Sequence, residues 1–208
     1  MHPLDHLVYA VPDLPAALDW FAEHAGLRPA IGGRHLDQGT HNALVNLGQG
    51  AYLEIVAIDP ENTTISPPRW MGVDHISEPR MVRWSLKSDN LEADTERLRL
   101  LNPALGTIHT GQRELTTGAT LKWRMSLPQP SPAVELLPFF LDWSASDFHP
   151  TDHMPEQFTT TQIEIRHPNP EQITEKLQQL DLNVKATHGP VPMIVAHVRT
   201  PKGTLILR

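Results

Sequence analysis

The 208-residue chain contains no cysteine. That absence excludes disulfides, zinc–thiolate sites and cysteine nucleophiles, and it leaves the redox compartment open. Long apolar runs are missing as well. None approaches the roughly 20 residues that a membrane-spanning helix requires, so no membrane partner is expected. The N-terminal Met1-His2-Pro3-Leu4-Asp5 lacks a basic stretch followed by an apolar core. No signal peptide is therefore expected, and the expected location is cytoplasmic. Basic runs and basic–aromatic interleaving are also absent. With a formal net charge of −7, nucleic acid is not an expected partner. There is no Walker loop and no dinucleotide fingerprint, because the glycine pairs do not open a helix after a strand. No serine–histidine–acid triad can be assembled around a nucleophile elbow.

What the chain does have is twelve histidines and twenty prolines. Proline clusters at Pro67-Pro68, at Pro128, Pro130 and Pro132, and at Pro190 and Pro192. Apolar stretches flank these clusters, so they predict loops between strands. Leu4–Val11 reads as an apolar strand. Asp13 is placed to cap a helix with Pro15 in its first turn. Leu14, Ala17, Leu18, Phe21 and Ala25 give that helix one apolar stripe, and Gly26 ends it. Short glycine-cut strands follow, the last being Tyr52–Ile58.

The same order recurs. Met81–Leu86 predicts a strand, and Ser88 or Asp89 is placed to cap a helix with Glu92 completing a capping box. Strands are expected near Gly106–Glu114, Thr120–Leu127 and Val134–Trp143. Pro138 marks the last of these as an edge or a bulge. A third strand–helix start spans Phe158–Arg166 and the helix capped by Asn169, with strand candidates at 184–187, 193–199 and 204–207. The expected organisation is a βαβββ module over residues 1–59, a connecting loop over 60–79, a second module over 80–144 and a third partial repeat over 145–208. Trp70, in the connecting loop, is read either as a pocket cover or as an anchor to the core.

Two ionisable residues stand inside strands that otherwise read as buried: His6 in the first and Glu54 in the last strand of the first module. Period-two alternation places His6, Val8 and Ala10 on one face and Leu7, Tyr9 and Val11 on the other. Glu54 shares its face with Tyr52, Val56 and Ile58. A carboxylate in that position needs a metal, a cation or a proton. An arginine partner from among Arg83, Arg113 and Arg124 satisfies the same need. A His6–Glu54 pair with shifted proton affinities is the pattern of a general acid and base.

Leu4–Asp13, Gly32-Gly33-Arg34-His35, Gly39–Leu44 and Tyr52–Val56 together resemble the glyoxalase-like domain family of the vicinal-oxygen-chelate superfamily. The resemblance implies an α+β fold of paired βαβββ modules whose sheets form an open cup with helices outside, to which the chain's own pattern adds the third partial βαβ repeat. It implies a lyase, isomerase or dioxygenase acting on a small oxygenated molecule, or else a non-catalytic binder that sequesters a small ligand. By position, His6 and Glu54 resemble the two ligands that such a module supplies to a divalent metal: zinc, iron, nickel or manganese. The closing strand of the second module departs from the pattern. It has Phe139 and Phe140 where a glutamate belongs. The same resemblance makes His35, Thr40 and Asn42 residues of the pocket mouth, although turn chemistry accounts equally for Thr40 and Asn42. Trp123 and Arg124 belong to a further family-like strand. If Lys122 and Arg124 face the cup, Arg124 favours a carboxylate or phosphate on the ligand; on the outer face it is a solvated charge. A homodimer is the assembly left open.

Overall fold

The computed structural model describes residues 2–114 and 120–208; of Arg113, Glu114 and Thr161 it describes only the backbone. The first module comprises β1 (Leu4–Ala10), α1 (Leu14–Ala25), β2 (Ala30–His35), β3 (Thr40–Gly48) and β4 (Ala51–Ile58). The second comprises β5 (Arg80–Lys87), α2 (Leu91–Leu101), β6 (Ile108–Glu114), β7 (Thr120–Ser126) and β8 (Phe139–Asp142). Their strands form one eight-stranded sheet in the order β2-β3-β4-β1-β5-β8-β7-β6. In each module the first and last strands pair in parallel, β1 with β4 and β5 with β8. The antiparallel β1–β5 pairing joins the modules. The sheet curls into an open half-barrel, so the fold is α+β.

The alternation read from β1 is realised in two separate apolar clusters. Leu7, Tyr9 and Val11 pack with Leu14, Leu18 and Phe21 of α1 on the convex side. Val8 and Ala10 pack with Val56, Met125 and Phe139 on the concave side. Asp13 caps α1 by accepting a hydrogen bond from the Ala16 N–H at 2.8 Å. In the second helix the cap is Asn90, which accepts from the Ala93 N–H, rather than Ser88 or Asp89. Ser88 Oγ is occupied instead by the buried Asp94 carboxylate, to which it donates at 2.6 Å.

The closing strand of the second module is shorter than its apolar sequence predicts, beginning only at Phe139. Pro138 precedes it, and the strand lies inside the sheet between β5 and β7, neither at an edge nor at a bulge. The preceding segment is held by a buried arginine. Arg83 donates to the carbonyls of Val82 and Ala133 through Nη1, and to those of Gln129 and Pro132 through Nη2, at 2.7–3.0 Å.

The third repeat, β9 (Thr159–His167), α3 (Pro170–Gln179), β10 (Ala186–His188), β11 (Met193–Thr200) and β12 (Gly203–Leu207), forms its own sheet in the order β10-β9-β11-β12. Here the first strand pairs in parallel with the strand directly after the helix, a βαβ unit followed by a hairpin. The element order therefore repeats three times, while the pairing pattern repeats only twice. The segment that leads into β9 is pinned to β3. The Asn46 amide donates to the carbonyls of Thr151 and Met154, and the Asn46 carbonyl accepts from the Gln157 and Phe158 N–H groups. No helix is long and apolar enough to cross a membrane among the described residues.

Candidate functional site

The curl brings the two sheet edges, β2 and β6, to opposite sides of one cavity of about 1090 Å³. His109 of β6 reaches across its mouth to within 3.3 Å of Asp37. Phe148, Pro150, His153 and Met154 form part of the rim, so the segment entering the third repeat completes the wall. Below lies a recess of about 50 Å³. One side is polar and comes from the first module: His6, His35, Asn42, Tyr52 and Glu54. The other is apolar and comes from the second: Leu121, Trp123, Met125, Phe139, Leu141 and Trp143.

Glu54 is 4% exposed and lies at the floor. Its Oε1 accepts from the Asn42 amide at 2.6 Å. His6 Nε2 lies 3.7 Å from Oε2, and His35 Nε2 lies 3.7 Å from Oε1. Both separations exceed hydrogen-bond length, so the imidazoles flank the carboxylate without closing on it. Asn42 is oriented by its other end, where Oδ1 accepts from the Gly33 N–H at 2.9 Å. That contact needs the glycine before it: a Cβ on Gly32 would stand 2.2 Å from Asn42 Oδ1. The Gly32-Gly33 pair thus serves the carboxylate, through Asn42, as well as the turn. A hydrogen bond to a charged group contributes about 1.5–3 kcal/mol. Gly32→Ala and Asn42→Ala are each expected to lower activity roughly 10- to 100-fold, and the double variant to fall no further than the worse single one. Multiplying losses in steady-state kinetics would contradict the coupling.

Thr40 is fully buried. Its Oγ1 accepts from Trp70 Nε1 at 3.1 Å and lies 2.9 Å from His35 Nδ1. Trp70 meets the His35 ring edge-on at 4.9 Å and lines both the recess and the outer cavity. Cover and anchor are therefore one role. Trp123 lies against β6 where Gly111 leaves room, since a Cβ there would stand 2.4 Å from the indole. His6, Glu54, His35, Asn42 and Trp123 all line the recess, with Thr40 behind His35.

Arg124 is not brought to this site. It pairs with Glu92 of α2 and lies 3.7 Å from Asp142. On β7, Leu121, Trp123 and Met125 take the cavity face, and the alternate residues Lys122 and Arg124 point away. Of the two readings of Arg124, this placement is the outer face rather than the cup. Among the described residues no arginine side chain neutralises Glu54: Arg83 is spent on loop carbonyls and Arg124 on Glu92, and the Arg113 side chain lies outside the described residues. The metal implied by the resemblance is not fitted by the donors present. The wall facing His6 and Glu54 is aromatic and aliphatic. No group of three or more His, Cys, Asp or Glu is arranged to hold an ion among the described residues, whereas a divalent cation takes four or more ligands.

Asp5 and His149 are functional candidates that the sequence reading passed over. Asp5 is fully buried. Its Oδ1 lies 2.7 Å from His6 Nδ1, and its Oδ2 accepts from Trp143 Nε1 at 2.8 Å and meets His149 Nε2 at 3.2 Å. Burial alone would raise the Asp5 carboxyl, but the hydrogen bonds and charges of His149 and His6 outweigh it and hold the group well below the usual carboxylate range. The only available signal was the polar pair Asp5-His6 inside an apolar strand. Because the folded-state value lies below the ordinary one, the stability Asp5 contributes is full above about pH 4 and is lost as pH falls through the folded-state value. Thermal melts across the acid range are expected to show this limb in the wild type and a shallower one in Asp5→Asn. Identical limbs would contradict it.

Residues 4–180 match the sequence pattern of the glyoxalase-like domain. No protein of curated function matches the chain. Among solved structures, a hypothetical protein from Staphylococcus aureus is similar at a TM-score of 0.68, with 16% identity over 98% of this chain and 93% of that one. Methylmalonyl-CoA epimerase from Mycobacterium tuberculosis is similar at a TM-score of 0.42, with 22% identity over 67% of this chain and 87% of that one. A methylmalonyl-CoA epimerase in complex with methylmalonyl-CoA and NH4+ gives a TM-score of 0.43, with 16% identity over 70% and 96%. The first likeness is one of fold across nearly the whole length. The family match runs from the start of β1 to the residue after α3, through both modules and the recess, and the chain belongs to the glyoxalase-like domain family.

Proposed function

We propose that the protein is an enzyme of the lyase or isomerase type that moves a proton on a small oxygenated molecule, with Glu54 as the proton acceptor and His6 as its acid–base partner. One observation carries the reading: a buried carboxylate at the floor of a cavity, held through one oxygen by Asn42, with its other oxygen beside an imidazole and facing an aromatic wall. Tight packing around a single fixed carboxylate suits it to take a proton from a C–H next to a carbonyl and return it elsewhere on the same molecule. Trp123, Phe139 and Trp143 exclude water and hold the apolar body of the ligand. No step is routed through a metal, because the donor set does not fit one.

The width of the outer cavity and its aromatic floor favour a second reading, ligand sequestration without turnover. A panel of small carbonyl and hydroxycarbonyl compounds, scored for binding and for conversion, separates the two. Conversion that disappears in Glu54→Gln while binding persists supports the enzyme. Binding with no conversion of any compound in the wild type supports the binder and overturns the first reading.

A further inference from the structure

The polarity of the recess floor follows from a residue outside it. His6 is held in plane by stacking on Tyr52 (4.6 Å, 17°) and by the edge of Phe139 (5.2 Å). Its Nδ1 faces Asp5 Oδ1 at 2.7 Å, and its Nε2 faces the recess. The protonation of Asp5's neighbours is fixed by the network. Trp143 Nε1 is only a donor. His149 Nδ1 lies 2.8 Å from Thr151 Oγ1 and 3.3 Å from the Thr151 N–H, and its Nε2, 3.2 Å from Asp5 Oδ2, is the nitrogen that donates to the carboxylate. A carboxylate so held is an acceptor at both oxygens, and the His6 nitrogen beside Oδ1 must carry its proton.

We infer that Asp5 is a positioning residue that fixes His6 with its proton on Nδ1, so that the recess floor offers two acceptors, His6 Nε2 and Glu54 Oε2, to an uncharged ligand bearing a hydroxyl group. The 3.7 Å gap between those two atoms is too long for a bond between them and leaves both directed at whatever enters. No lysine or arginine lines the recess among the described residues, so an anionic group has no counter-charge beside Glu54. The opposing aromatic wall takes a flat apolar body. This inference rests on the reading of Glu54 as the proton acceptor and adds the class of group that docks beside it.

The test uses nitrogen-15 NMR of histidine-labelled full-length protein, with the His6 ring assigned by its loss in His6→Gln. In the wild type Nδ1 is expected to be protonated and Nε2 to be bare at neutral pH. Added 2-naphthol should shift the Nε2 resonance and bind at least tenfold more tightly than 2-methoxynaphthalene, which has the same body and no donor. In Asp5→Asn the amide oxygen stays with its two donors, Trp143 and His149. The amide NH2 then faces His6 Nδ1, so the ring proton moves to Nε2 and naphthol affinity falls. A wild-type ring protonated on Nε2, alone or together with Nδ1, overturns the inference. Equal binding of the alcohol and the ether does so as well. If Asp5→Asn does not fold, the two wild-type measurements decide. The spectrum is independent of turnover, so its failure leaves Glu54-dependent chemistry standing, and loss of that dependence leaves the spectrum standing.

Discussion

Arg83→Ala is expected to lower the melting temperature by roughly 10 °C or more. Arg83 is 2% exposed, and burial brings its guanidinium down to about 10, which leaves it charged at neutral pH. Among the described residues no carboxylate is in direct contact with it. Its Nη1 and Nη2 instead donate to four carbonyls, three of them in the segment 129–133. Truncation leaves those carbonyls facing a void. Each unsatisfied buried acceptor costs about 1–3 kcal/mol, and partial relaxation brings the total to about 3–5 kcal/mol. For a chain of this size each kcal/mol moves the melting temperature by roughly 2–4 °C. Arg83→Lys is expected to recover only part of the loss, because an ammonium cannot present the planar fork that reaches carbonyls on two sides. A melt unchanged by Arg83→Ala would show that segment 129–133 is held by other contacts.

Glu54→Gln is expected to lower kcat by at least about 100-fold, the usual scale of a positioned proton acceptor, while KM changes little. The substitution keeps the shape of the side chain. Its amide oxygen can still accept from Asn42, and its amide nitrogen replaces Oε2 opposite His6. Stability is therefore expected to stay within about 1 kcal/mol of wild type, since among the described residues no buried lysine or arginine is paired with Glu54. A fall in stability of several kcal/mol would instead identify Glu54 as half of a buried ion pair. The Arg113 side chain would then be the partner to examine.

The fold was legible where one physical signal dominated. Period-two alternation in β1 separated Leu7, Tyr9 and Val11 from Val8 and Ala10, and the two apolar clusters divide along that line. Asp13 and Asn169 announced their helices because short polar side chains before an apolar stripe have few other uses. The α2 cap was missed because Ser88, Asp89 and Asn90 all qualify locally, and the choice is made by Asp94, which captures Ser88 from within the helix. The early part of β8 was misread because Val134–Leu137 is as apolar as a strand. Its backbone is drawn off by Trp84 Nε1, which donates to the Leu136 carbonyl, and by Glu135, which accepts from the Leu137 N–H. The pairing of β9 with β10, rather than with the last strand of its repeat, depends on contacts between distant segments that local pattern does not encode.

At the site, His6 and Glu54 could be read as a pair because two ionisable residues interrupt two apolar strands. Asn42 and Gly32 were legible as pocket-mouth or turn residues but not as supports of Glu54, since the 2.6 Å bond to Glu54 exists only once β3 lies beside β4. For Arg124 the alternation left both faces of the strand open. Its side of the strand follows from Trp123 taking the other, and α2 supplies Glu92 to hold it there. Asp5 and His149 lie 144 residues apart, and nothing in the order of the chain announces that they meet.

The most direct test of the account follows deuterium. Incubating a converted ligand with wild-type protein in D2O is expected to place solvent deuterium at the carbon next to its oxygenated group, read by proton NMR and mass spectrometry, with Glu54→Gln slowing that incorporation at least about 100-fold. Incorporation by Glu54→Gln at the wild-type rate would contradict the central claim that the Glu54 carboxylate receives the proton.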